Sequence, residues 1–160
     1  MFKLKSITLL VLLFALTGTK INAQTAGTSC KGKGEVLEAL GASSAMLIYN
    51  TYMVIGAISD GNADGNYEDE LSIQLLDEQI MAINLLDTHY TDVLNSGFLV
   101  EESDKKFMQD VIKALHLLKN EAYYLKRYIS SSQESDLHEY DASRKEAWNM
   151  IRELLGIEGE

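Results

Sequence analysis

The chain has 160 residues, with 24 acidic against 14 basic side chains, a formal net charge of −10 and no proline. An acidic field of that size repels phosphate backbones and anionic lipid headgroups, which sets nucleic-acid binding aside and points to cationic partners. Proline interrupts helices and ordinarily supplies about 5% of a sequence, so its absence predicts long uninterrupted helices.

The first elements belong to export. Lys3 and Lys5 precede an uncharged apolar run, Ile7 to Leu16, and a polar stretch from Thr17 to Asn22 leads to Ala23. That order is the signature of a secretory signal peptide, and the apolar run is too short to cross about 30 Å of hydrocarbon. Ile21 and Ala23 place the expected cut after residue 23. Cleavage there removes three of the basic residues and none of the acidic ones, taking the formal charge from −10 to −13. A periplasmic or secreted location in a bacterial envelope follows. Residues 24–34 read as a flexible lead-in. Cys30 follows Gly27, Thr28 and Ser29 and lies well beyond Leu16, which does not suit a lipid anchor. A lone cysteine closes no intramolecular disulfide, so the fold relies on its core.

Residues 35–157 read as one domain of four helices. The first runs from about Glu35 to Ser59. The second runs from Asn66 to Ser96, with a stripe of Leu76, Ile80, Ile83, Tyr90 and Leu94 and with Gly97 as its stop. The third starts near Ser103 as N-cap and reaches Ser130, its stripe being Phe107, Val111, Ala114, Leu118, Ala122, Leu125 and Ile129. The fourth begins between Asp136 and Asp141, where Ser143 and Glu146 have capping-box spacing, and ends at Gly156. Leu137, Tyr140, Arg144, Ala147, Trp148, Ile151 and Leu155 share one side of it. Four such helices with short connections predict an all-α, antiparallel up-and-down four-helix bundle.

The first helix departs from the amphipathic pattern of the others. From Ala39 to Ser59 it has no charged residue, and apolar side chains fall on every side. Such a helix is buried all round or lies in a membrane. Ser43, Ser44, Asn50, Thr51 and two tyrosines dilute it, so a span by residues 39–59 is the lesser alternative. The preferred expectation is a bundle helix with a second face covered by a protein partner or another copy of the chain. Met46, Tyr49, Tyr52 and Met53 are the candidate contact residues.

The segment after it, Asp60 to Leu71, resembles the first half of an EF-hand calcium loop. Asp60, Asn62 and Asp64 stand at loop positions one, three and five, Gly65 at six, Asn66 at seven and Glu68 at nine. Position twelve, which should supply a bidentate carboxylate, is Leu71, and Glu70 is one residue early. The preferred reading is a turn of Asp, Asn and Gly, with weak Ca2+ binding through Asp60, Asn62, Asp64, Asn66 and Glu68 as the alternative.

Other chemistry finds little support. His89, His116 and His138 follow Leu86, Lys113 and Ser135 at the spacing where a di-metal bundle places glutamate. No Gly-x-Ser-x-Gly elbow is present. Met46, Met53, Met81, Met108 and Met150 read as adaptable core packing. Tyr124, Arg127 and Tyr128 share one side of the third helix and are residue types favoured in binding hot spots. The expectation is therefore an exported acidic protein without a resident cofactor, acting through protein–protein contacts and not as an enzyme.

Overall fold

The computed structural model describes residues 32–157. The expected signal peptide, its cut site and Cys30 lie outside the described residues. Within them the chain forms four helices: α1, Lys33–Ala63; α2, Asp69–Asn95; α3, Glu102–Ser131; and α4, Glu134–Leu155. The protein is an all-helical bundle. Among the described residues no strand is present, and no helix is long and apolar enough to cross a membrane.

The third helix is the centre of the packing, touching each of the other three. Its buried residues are Met108, Val111, Ala114, Leu115, Leu118, Glu121, Ala122 and Leu125, at spacings of three and four that define one helical stripe. Val111, Ala114, Leu118, Ala122 and Leu125 of the expected stripe are buried, its end residues Phe107 and Ile129 are half-buried, and Met108, Leu115 and Glu121 widen it. Into it pack Ile48, Ile55 and Ile58 of α1, Leu76 and Ile83 of α2, and Ala147 and Ile151 of α4. Polar pairs tie the same helices. Lys126 and His116 of α3 reach Asp77 and Asp87 of α2 at 2.6 and 3.2 Å, while Arg127 reaches Asp136 of α4 at 3.0 Å.

The helix ends differ from the sequence reading in instructive ways. The third helix starts at Glu102, so its N-cap is Glu101 in place of Ser103, with no side-chain cap. Glu102 and Asp104 in its first turn complement the helix dipole instead. The fourth starts at Glu134. There the Ser131 hydroxyl accepts from the Gln133 amide and donates to the Asp136 carboxylate, so the link from α3 is a two-residue turn. The Ser143 and Glu146 pair caps nothing, because Ser143 is a buried mid-helix residue.

The first helix continues four residues past Ser59, to Ala63, and ends in a Schellman motif. The Asn66 amide donates to the Gly61 carbonyl at 2.8 Å and the Gly65 amide to Asn62 at 3.0 Å, with Gly65 left-handed at φ 71°. An L side chain in that conformation costs roughly 1 kcal/mol. Gly65→Ala is therefore expected to lose about 1 kcal/mol in urea denaturation, and an unchanged midpoint would contradict this account of the turn.

Candidate functional site

Three regions hold the residues that the sequence marks for function, and one holds residues that it does not.

The outer side of α1 comes first. Residues at spacings of three and four bury Ala45, Ile48, Thr51, Ile55 and Ile58 against the bundle. Buried hydroxyls on that side are satisfied locally: Ser44 and Thr51 donate to the carbonyls of Leu40 and Leu47 at 2.6 and 2.9 Å. The opposite side carries Ala39, Ala42, Ser43, Met46, Leu47, Asn50, Met53, Val54 and Ala57, all exposed and none charged. Met46 is 52% and Met53 49% exposed. Exposed single apolar residues are ordinary, whereas an uncharged strip five turns long on so acidic a chain is not. The methionines thus depart from the expected core packing. Of those five, Met108 is in the core and Met150 is half-buried against it, while Met46, Met53 and Met81 face outward.

Tyr49 and Tyr52, grouped with those methionines in the sequence, lie on the half-buried flank and pack on the core. Tyr52 stacks on Trp148 of α4 with ring centroids 5.4 Å apart, and the Arg144 guanidinium lies 4.3 Å from its ring centre.

That contact opens onto a feature only half legible in the sequence. Glu121 of α3 is completely buried. Arg144 Nη1 donates to its Oε1 at 2.6 Å, and Oε2 has no hydrogen-bond partner. Burial pushes the Glu121 carboxyl up to about 7 despite the pull of Arg144 in the other direction. Gly56 of α1 makes room for the guanidinium, since a Cβ there would lie 2.6 Å from Nη2. Tyr140 completes the cluster beside Ser59, and burial raises its hydroxyl pKa. Three helices meet here: α1 supplies Tyr52, Gly56 and Ser59, α3 supplies Glu121, and α4 supplies Tyr140, Arg144 and Trp148. Neither of the two surface cavities described below is lined by Glu121 or Arg144. The cluster fixes the register of α1 against its neighbours and offers no path to substrate through those cavities.

The calcium-like segment is divided between two structures. Asp60 and Asn62 belong to the last turn of α1, Asp64 is its C-cap, and Glu68 is the N-cap of α2. The Asn62 amide nitrogen donates to the Asp69 carboxylate at 2.9 Å, and the Tyr67 ring packs on Gly61. Asn66 and Glu68 are exposed. Among the described residues no three His, Cys, Asp or Glu side chains converge as a metal group.

The tyrosine cluster of α3 also regroups. Tyr124 and Tyr128 are half-buried, Tyr124 against the core. Arg127 lies over the ring of Tyr123 at 5.8 Å while pairing with Asp136. Tyr123, 48% exposed, is thus the outward aromatic residue. Its separation of four from Arg127 was the available signal for that pairing.

Among the described residues, two cavities open to the surface stand out. One, of about 560 Å3, lies between the start of α1 and the start of α3. A smaller one of about 380 Å3 lies between α3 and α4 and is lined by Lys106, Asp110 and Glu153 among others. Comparison with protein-family models, with curated proteins and with solved structures found no match for this chain.

Proposed function

We propose that this is an exported accessory protein that binds another protein through the outer side of α1. The single observation that carries the reading is the uncharged strip from Ala39 to Ala57, with Met46, Leu47, Met53 and Val54 exposed on it. Methionine is flexible and polarisable, suited to a surface that adapts to a partner. The depletion of charge along the strip matches what distinguishes the centre of an interface from ordinary surface.

The reading includes two further parts. Residues 1–23 are the export signal, removed from the working protein, which then resides in the periplasm or outside the cell. The bundle is antiparallel and up-and-down. The ion pairs support that topology, because the α2 partner moves back from Asp87 to Asp77 as α3 advances from His116 to Lys126. Likewise Arg127 pairs with Asp136, and Glu121 with the later Arg144.

The test is paired substitution of Met46 and Met53 by Asp. Both are exposed, so the double variant is expected to melt within a few degrees of the wild type, since surface changes usually stay within about 0.5 kcal/mol each. It is expected to lose the complex that the wild type forms in light scattering of the native envelope fraction. A complex that survives the double substitution would contradict the proposal.

A further inference from the structure

The cavity of about 560 Å3 combines two features that ordinary surface grooves do not share. Its walls are apolar: Leu37, Leu40, Leu99, Phe107 and Met108. Its remaining side chains are all acidic: Glu38, Glu101 and Asp104. Leu99 is buried and anchors the α2–α3 connection, while Gly41 keeps α1 low beside the Phe107 ring, a Cβ there lying 3.7 Å from it.

Among the described residues the nearby cations are engaged elsewhere. Lys33 lies over the Phe98 ring at 4.9 Å, Lys105 pairs with Glu102 at 2.7 Å, and Lys106 pairs with Asp110 at 2.6 Å. Among the described residues Glu38, Glu101 and Asp104 make no ion pair. For Glu101 and Asp104 the positive end of α3 is one explanation. Glu38 has none of that kind, because it sits in the second turn of a different helix.

We propose that this groove binds a small cationic amphiphile. Its apolar body lies between α1 and α3, and its ammonium or guanidinium group lies at the rim beside Glu38, Glu101 and Asp104. A volume of about 560 Å3 is in the range of small-ligand sites. Charge selects the class: an anionic or neutral body of the same size gains the apolar contact but not the three carboxylates. The site shares no residue with the outer strip of α1, so its failure and the failure of the partner-binding reading are separable.

The experiment is calorimetric titration of the exported chain with decyltrimethylammonium below its micelle concentration, beside decyl maltoside and decyl sulfate. Saturable one-to-one binding is expected for the cation, at least tenfold tighter than for either alternative. In the variant Glu38→Gln, Glu101→Gln, Asp104→Asn the preference should fall about tenfold at low salt, the size expected of three partly screened carboxylates. Glu38→Gln alone should remove part of it. These positions are exposed or half-exposed, and circular dichroism of the variant is expected to match the wild type. No saturable heat, equal binding of all three amphiphiles, or a triple variant that keeps the preference would each overturn the proposal.

Discussion

Arg144→Met is expected to destabilise the protein by about 3–5 kcal/mol at pH 8, because it removes one partner of a buried ion pair and leaves the buried carboxyl either charged without its cation or protonated against the pH. Glu121 is wholly enclosed, its Oε2 already lacks a partner, and Arg144 is its ion-pair partner. The loss should shrink at pH 5, where a buried carboxyl without its cation takes up a proton and sheds its charge. Replacing both residues, Glu121→Leu with Arg144→Met, should recover most of the stability, since a well-packed apolar pair often equals or exceeds a buried salt bridge. Chemical denaturation of the three proteins at both pH values checks this. Equal stability of the single and double variants would refute it.

The same carboxyl makes a directional statement about pH. Its folded value of about 7 stands above its ordinary 4.5, so between those limits the folded state holds more protons than the unfolded one. Stability from this group is therefore highest below about 4.5 and falls as pH rises toward 7, by roughly 3 kcal/mol in all. Glu121→Gln keeps an acceptor for Arg144 and removes the titration. The difference in stability between the variant and the wild type should grow across that window, in favour of the variant. A difference constant with pH would show that Glu121 titrates normally.

Gly56→Ala has the second large expected effect, and its sign is the informative part. In an ordinary helix interior the change stabilises by about 1 kcal/mol. Here the added Cβ would lie 2.6 Å from Arg144 Nη2 and 3.0 Å from Nη1. A free arginine tip would swing aside at little cost. This one is held by Glu121 at 2.6 Å and stacked 4.3 Å from the Tyr52 ring centre, so moving it strands the buried carboxylate. A loss of about 2–4 kcal/mol is expected, approaching that of Arg144→Met. In the Glu121→Leu, Arg144→Met background the obstacle is gone, and Gly56→Ala should become neutral or stabilising. A double-mutant cycle measures that reversal as a coupling energy. Additive effects would contradict the packing described for Gly56.

How much of this was legible in the sequence depends on the kind of signal. The four helices, the stop at Gly97 and the end at Gly156 were readable, because spacing and glycine position carry them locally. Gly156 closes α4 by the Schellman bonds of its own amide to Glu153 and of Ile157 to Arg152. The segment from Asp60 misled for a physical reason: Asp, Asn and Gly serve equally as calcium ligands, turn formers and helix terminators. What separates these roles is whether the backbone continues its helical bonds to Gly61, and it does. Arg144 was readable as a residue on the core side of α4. Glu121 was not, since one glutamate in a helix of regular amphipathic pattern declares its burial only when α1 and α4 close over it.

The first helix shows the other limit. Its sequence announced an uncharged element with apolar residues all round, and the fold divides that circumference. Ile48, Ile55 and Ile58 are in the core, Tyr49 and Tyr52 lie on the flank toward it, and Met46 and Met53 remain outside. Periodicity alone does not make that division, because every face of the helix is eligible for burial.

The most direct test of the central claim places a photo-crosslinking residue at Met53 in the exported protein within its native envelope, with Lys119 as the control. Both positions are exposed, but Lys119 lies on the charged outer side of α3, beside His116 and Asn120. Crosslinking to one discrete protein, or to a second copy of the chain, is expected from Met53 and not from Lys119. No adduct at Met53, or the same adducts at both positions, would contradict the claim that the outer side of α1 is where this protein meets a partner.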